Sequence, residues 1–194
     1  MKSVVLIFLS RVKSFTGVLA TLVLLLSPAG AQPAANLIQN PGLQPDAAGG
    51  IAGWLFHDTP AVAAQVTSGA EVVQGIRCLA ISTRKPVQTN LWWEQKVACD
   101  GGNTYAISAR VKVALQAGSN YGGASLGLAF EDANGKWLGF QAIPTAGTSD
   151  TWTEIKGKIT VPEDAVKMTL RLGVILDGSI KVWFKEPAVS DISG

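Results

Sequence analysis

The chain of 194 residues is 47% hydrophobic and 15% charged, with a formal net charge of +2. Its length suits one domain whose core needs no dense crosslinking. The near balance of charge leaves no basic tract of the kind that grips phosphate backbones, which argues against nucleic acid as a partner.

Residues 1–31 read as an export signal. Lys2, Arg11 and Lys13 form a positive start, Gly17 to Leu26 is largely apolar, and Ala29-Gly30-Ala31 offers small residues for cleavage. The apolar run falls short of the ~20 residues of a membrane span. Cleavage after Ala31 is therefore favoured over an uncleaved anchor, with no membrane insertion afterwards. Residues 32–194 then hold thirteen cations and fourteen carboxylates, a net charge of −1. The expectation is one secreted or periplasmic domain over 32–194, acting as a monomer.

Beyond the leader, the sequence alternates. Leu37 and Ile38 are expected to start a strand, Pro41-Gly42 to turn it, and Trp54 to land in the core. In Leu91–Cys99, Trp93 is in phase with Leu91, Val97 and Cys99, whereas Trp92 is in phase with Glu94 and Lys96. Tyr105, Ile107, Ala109, Val111 and Val113 alternate with Ala106, Ser108, Arg110 and Lys112. Leu126, Leu128 and Phe130 alternate with Gly127, Ala129 and Glu131, and Val166–Val174 follows the same rule. A period of two with one apolar face predicts half-buried strands.

Asp132-Ala133-Asn134-Gly135 reads as a hairpin turn, with Asp100–Asn103 and Leu176–Ser179 doing similar work. Nine or ten short strands predict an all-β fold, a two-sheet antiparallel sandwich or jelly roll. The two cysteines, Cys78 and Cys99, make a disulfide in the simplest reading of an exported chain. Two buried thiols on facing strands are the alternative, because sequence does not fix their separation.

Asn36-Leu37-Ile38-x-Asn40-Pro41-Gly42 followed by Gly53-Trp54 resembles the start of carbohydrate-binding modules of the family four, nine, sixteen and twenty-two group. Further pieces agree in order: Trp93-x-Gln95-x-Val97, Gly102–Lys112, Phe130–Gly135, Thr151–Ile155, Val161-Pro162 and Val182-Trp183-Phe184. The resemblance implies a galactose-binding-like jelly roll over almost all of residues 36–192. It also implies a structural calcium, held partly by a Phe-Glu pair after the first turn and an Asp pair after the closing Trp-Phe. Leu43-Gln44 and Lys185-Glu186 stand there instead. Calcium wants ~6–8 oxygen ligands, so no calcium or other cofactor is expected, with Lys185 in the cation's place.

Sugars are bound by an exposed ring beneath the pyranose face and polar groups at its rim. Trp54, Trp152 and Trp183 read as sandwich-sealing structure, and Phe140 as packing. Trp92 is the better solvent-facing platform, with a rim ring over a loop as its bland reading. Trp137 after the Asn-Gly turn and Tyr121 in a Gly-rich stretch are further contacts. Arg110, Glu131, Lys112 and Arg171 fall out of phase with their strands' core residues. They form a polar cleft if their strands share one sheet, and an ordinary solvated face otherwise.

Catalysis is not expected. Gly123-Ala124-Ser125-Leu126-Gly127 matches a hydrolase pattern, but no helix follows it. His57, the single histidine, makes neither a zinc site nor a triad. The expected function is non-catalytic binding of a polysaccharide or glycan. The alternative is a structural or adhesion module with a protein partner.

Overall fold

The structure, a computed structural model, describes residues 34–115, 119 and 121–194. The expected leader over residues 1–31 lies outside the described residues. Ten strands follow in order: β1 Leu55–His57, β2 Val66–Val73, β3 Ile76–Thr83, β4 Val87–Ala98, β5 Thr104–Leu115, β6 Tyr121–Glu131, β7 Trp137–Ala146, β8 Ser149–Thr160, β9 Lys167–Gly178 and β10 Ile180–Asp191. They form two five-stranded antiparallel sheets, β1-β4-β9-β6-β7 (sheet one) and β2-β3-β10-β5-β8 (sheet two). No helix among the described residues is long and apolar enough to cross a membrane.

The alternation places the core. Tyr105, Ile107, Ala109, Val111 and Val113 point inward from sheet two, and meet Leu126, Leu128, Phe130, Leu170 and Leu172 from sheet one. Trp93 bridges the layers, its Nε1 donating to Ala80 O of β3 at 3.1 Å. Trp54 is buried as expected.

The Leu37-Ile38 strand does not form. Residues 34–54 make only one bridge, Pro45 to Ile51. Backbone turns at Asn40 and Leu43, both at positive φ, tuck Ile38 and Leu43 under the sandwich as plugs instead.

The turn signals also separate. Asp132–Gly135 closes the β6–β7 hairpin, where Asp132 Oδ1 accepts from the amides of Asn134 and Lys136, each at 2.8 Å. A second tight hairpin, β2–β3, turns on Gln74 and Gly75, both at positive φ. The other two signals are corners rather than hairpins: Asp100–Asn103 carries the chain from β4 in sheet one to β5 in sheet two, and Leu176–Ser179 from β9 to β10. At the first corner a Cβ on Gly101 would lie 1.8 Å from Glu163 O. Gly101→Ala is expected to cost about 1–3 kcal/mol, read as a lower midpoint in urea unfolding.

Trp152 and Trp183 do not seal the sandwich. Trp183 lies between buried Val182 and Phe184 on β10 and so faces outward from sheet two, where its Nε1 donates to Glu71 Oε2 at 2.7 Å. Burial pushes the Glu71 carboxyl up, but the Trp183 indole and Lys181 outweigh it and hold the group below the ordinary carboxylate value. Trp152 carries the Lys185 ammonium 4.6 Å from its ring centroid.

The expected Cys78–Cys99 disulfide is absent, and both thiols are free. Cys78 sits on β3 beside Ala80 and opposite Glu71, on the outward side of sheet two, whereas Cys99 follows β4 and packs against the core from sheet one. Their side chains therefore leave different faces. Burial raises both thiols, Cys99 to about 11 with help from Asp100, which keeps them protonated and unreactive. Alkylation of the denatured chain without reductant should add two labels by intact mass, and none while the protein is folded at neutral pH.

Candidate functional site

The outer face of sheet one carries a groove of about 360 Å³. Its floor is made of small side chains. The register sets Trp92 beside Gly173 and Gly173 beside Ser125 in one row, and Glu94 beside Arg171, Gly127 and Ala142 in the next. A Cβ on Gly173 would lie 3.0 Å from Ser125 Oγ and 3.1 Å from Trp92 Cβ, so only glycine leaves the floor flat there. Large rings rise on either side: Trp92 from β4, with Trp137 and Phe140 from β7.

A β-bulge brings the β7 rings together. Trp137 pairs with Glu131 and Gly139 with Phe130, leaving Leu138 as the extra residue, and Gly139 takes φ 130°. Two positions three apart, which oppose each other on a regular strand, thereby share a face. Trp137 is 50% exposed and Phe140 44%. The expected packing role of Phe140 is thus half the story: the ring lies over Gly127, where a Cβ would approach its Cζ to 2.6 Å, while the rest remains open to the groove.

Arg171 stands at the centre, its guanidinium 4.7 Å from the Trp92 ring centroid, 5.4 Å from Trp137 and 5.8 Å from Phe140. Beneath it is Glu94, a buried carboxylate. Glu94 Oε2 accepts from Trp92 Nε1 at 3.0 Å and lies 3.4 Å from Arg171 Nε, and Oε1 lies 2.9 Å from His57 Nε2. Neither His57 Nε2 nor Arg171 Nε makes a hydrogen bond there, so Arg171 meets Glu94 as an ion pair alone and His57 only packs against the carboxylate. The His57 imidazole stacks on Trp92 at 5.3 Å and 11°. β1 and β9 flank β4, so His57 and Arg171 cover Trp92 from opposite sides. Trp92 does face outward, but its ring is sandwiched, and the open platforms are Trp137 and Phe140.

The other expected contacts divide. Arg110 projects from β5 of sheet two, between Lys185 and Glu154, away from the groove, and Lys112 lies on the same sheet beneath Trp183. The single cleft containing both Arg110 and Arg171 therefore does not exist. Glu131 shares the outer face of sheet one but ends β6 opposite Lys167, beyond the groove lining. Tyr121 opens β6 opposite Asp177; its side chain lies outside the described residues. Sequence reading missed Glu94, His57, Phe140, Asn90 and Ser125. The phase of Trp92 and Glu94 already placed that carboxylate on the ring's face; Phe140 carried no such signal, because the bulge hides its phase.

Ser125 of the hydrolase-like pattern lies within β6, which continues unbroken to Glu131. Two positions where the resemblance puts calcium ligands are otherwise engaged. Gln44 Nε2 donates to Gly42 O, and the Lys185 ammonium is buried against Trp152 and lies 3.5 Å from Glu186 Oε1. No cluster of three or more His, Cys, Asp or Glu side chains with metal-binding geometry occurs among the described residues.

A two-sheet jelly roll with a ring-lined groove on one sheet defines a β-sandwich binding module. The carbohydrate binding domain family matches residues 35–176, and the chain belongs to it. No curated protein matches the chain in sequence. Among solved structures, the CBM22-1 xylan-binding domain of Paenibacillus barcinonensis Xyn10C is similar at 15% identity and TM-score 0.55, over 84% of this chain and 99% of that one. A CBM4 module is similar at 16% identity and TM-score 0.56, over 80% and 99%. The enzymatically active domain of bacteriophage CBA120 tailspike protein 4 is similar at 16% identity and TM-score 0.57, over 81% of this chain. This chain spans only 21% of that tailspike chain. At these identities the likeness establishes the fold.

Proposed function

We propose that the chain is an exported, non-catalytic module that binds a neutral polysaccharide along the sheet-one groove, with residues 1–31 removed as its leader. The carrying observation is the pair of half-exposed rings, Trp137 and Phe140, set beside a flat floor of Gly127, Gly173 and Ser125. Pyranose C–H faces stack on such rings, and Arg171, Asn90 and Ser125 offer polar atoms to the hydroxyl rim. Neutral chains fit best, because Glu94 balances Arg171. The xylan-binding name of the Paenibacillus relative makes xylan the first ligand to try. Among the described residues no carboxylate belongs to the groove lining: Glu94 lies beneath Arg171 and Glu131 sits across from Trp137 at the groove's end, whereas glycoside hydrolysis takes two carboxylates flanking the bond.

Affinity electrophoresis in gels containing xylan, β-glucan or mannan tests this reading. The native protein should be retarded by at least one of them, with no reducing sugar released. If all three leave its mobility unchanged while pull-down recovers one envelope protein, the adhesion reading takes its place. Lys185 is proposed to supply the positive charge of its corner without a metal. Melting in chelator and in millimolar calcium should therefore give one Tm; a calcium-dependent rise would refute it.

A further inference from the structure

The opposite face of the sandwich has a different electrostatic character. From β5, β8 and β10 the side chains of Arg110, Lys112, Lys156, Lys158, Lys181 and Lys185 leave the outward side of sheet two. Three of these cations are neutralised: Lys156 by Glu154 at 2.7 Å, Lys181 by Glu71 at 2.9 Å and Lys185 by Glu186 at 3.5 Å. Arg110, Lys112 and Lys158 have no ion pair among the described residues, and Lys112 has only the Trp183 ring, 5.8 Å away. On sheet one Glu94 offsets Arg171 at the middle of the face, and the outward Lys96 and Lys167 have no ion pair among the described residues.

The same face has a trough of about 300 Å³. The register sets Ala188 opposite Ser108 and Ser190 opposite Ala106, so four small side chains make a floor. Lys156 and Lys158 of the edge strand β8 form its wall with Glu154, whose carboxylate is taken up by Lys156. From Ala106 to Lys112 the strand runs about 20 Å at ~3.4 Å per residue, roughly two screening lengths at physiological salt. A compact anion therefore meets one end of the array, while a chain meets all of it. None of the large exposed apolar side chains lines this trough, so it has nothing to insert into a bilayer.

We infer that the outward face of sheet two is a second binding surface, for an anionic polysaccharide laid along β5 and β8 and held by Arg110, Lys112 and Lys158. The two faces would then take chains of different charge, one neutral and one acidic. This surface is independent of the groove and stands or falls separately from it.

Polygalacturonate is the probe, with binding of the full chain measured at about 20 mM and about 200 mM salt, where screening lengths differ severalfold. Binding is expected at low salt, at least tenfold weaker at high salt. The triple variant Arg110→Glu, Lys112→Glu, Lys158→Glu should lose at least tenfold at low salt. Should charge reversal impair folding, as circular dichroism would reveal, the milder Arg110→Gln, Lys158→Gln pair should lose at least threefold. Trp137→Ala, Phe140→Ala should bind polygalacturonate as the native chain does, whether or not the groove binds xylan. The inference is overturned by no binding at low salt, or by affinity that survives both charge variants. It is equally overturned by binding to phosphatidylserine vesicles or duplex DNA as tight as that to polygalacturonate.

Discussion

Replacing Trp137 and Phe140 together with alanine abolishes retardation by the neutral polysaccharide and leaves Tm within a few degrees of native. Each stacked ring is worth about 0.5–1.5 kcal/mol beyond its buried area. Two rings therefore account for about 1–3 kcal/mol, a loss of roughly five- to 150-fold, enough to bring a shallow-groove ligand below detection. The fold tolerates the change because both rings are about half exposed and stand on β7, an edge strand. Gly139→Val is the companion test. It introduces a side chain at φ 130°, where only glycine is comfortable, and works against the bulge that turns both rings to one face. Its affinity should fall with both rings still present. Retention of binding by the double variant would remove the stacking groove as the site.

The bulge also shows what a sequence conceals. Alternation located the strands and the core correctly from Tyr105 to Val113 and from Met168 to Val174, because a half-buried strand writes its two faces into every second residue. Phase distinguishes inside from outside, but it does not say which of the two outsides. Arg110 and Arg171 both read as outward, and they leave from opposite sheets. At Trp183 phase outranks size, since Val182 and Phe184 on either side claim the interior. Phe140 is the harder case. One inserted residue reverses every phase beyond it, and only Gly139 hints at the insertion. The N-terminal plugs Ile38 and Leu43 were hidden for a related reason: Asn40 takes the left-handed backbone readily, but Leu43 takes it too, and leucine rarely does.

Glu94 joins the groove to the stability of the sheet beneath it, and its removal has the second large effect. In Glu94→Ala the Trp92 indole loses its acceptor, the Arg171 guanidinium loses its opposing charge, and the buried His57 Nε2 is left beside a vacated space. Breaking a fully buried pair costs about 3–5 kcal/mol. Arg171 keeps about a quarter of its side chain exposed, at 26%, which places this site at the low end. A loss of roughly 3 kcal/mol lowers Tm by about 6–12 °C in a chain of this size. Glu94→Gln keeps an acceptor for the indole and loses the charge, so it should cost about half as much. Arg171→Ala on top of Glu94→Ala should cost less than the two single changes together, because the second substitution removes a cation that the first left unpaired. Strict additivity in that cycle would mean that Glu94 and Arg171 are uncoupled. Arg171 would then be held by its rings alone, and the groove would present a net positive centre that favours acidic sugars over neutral ones.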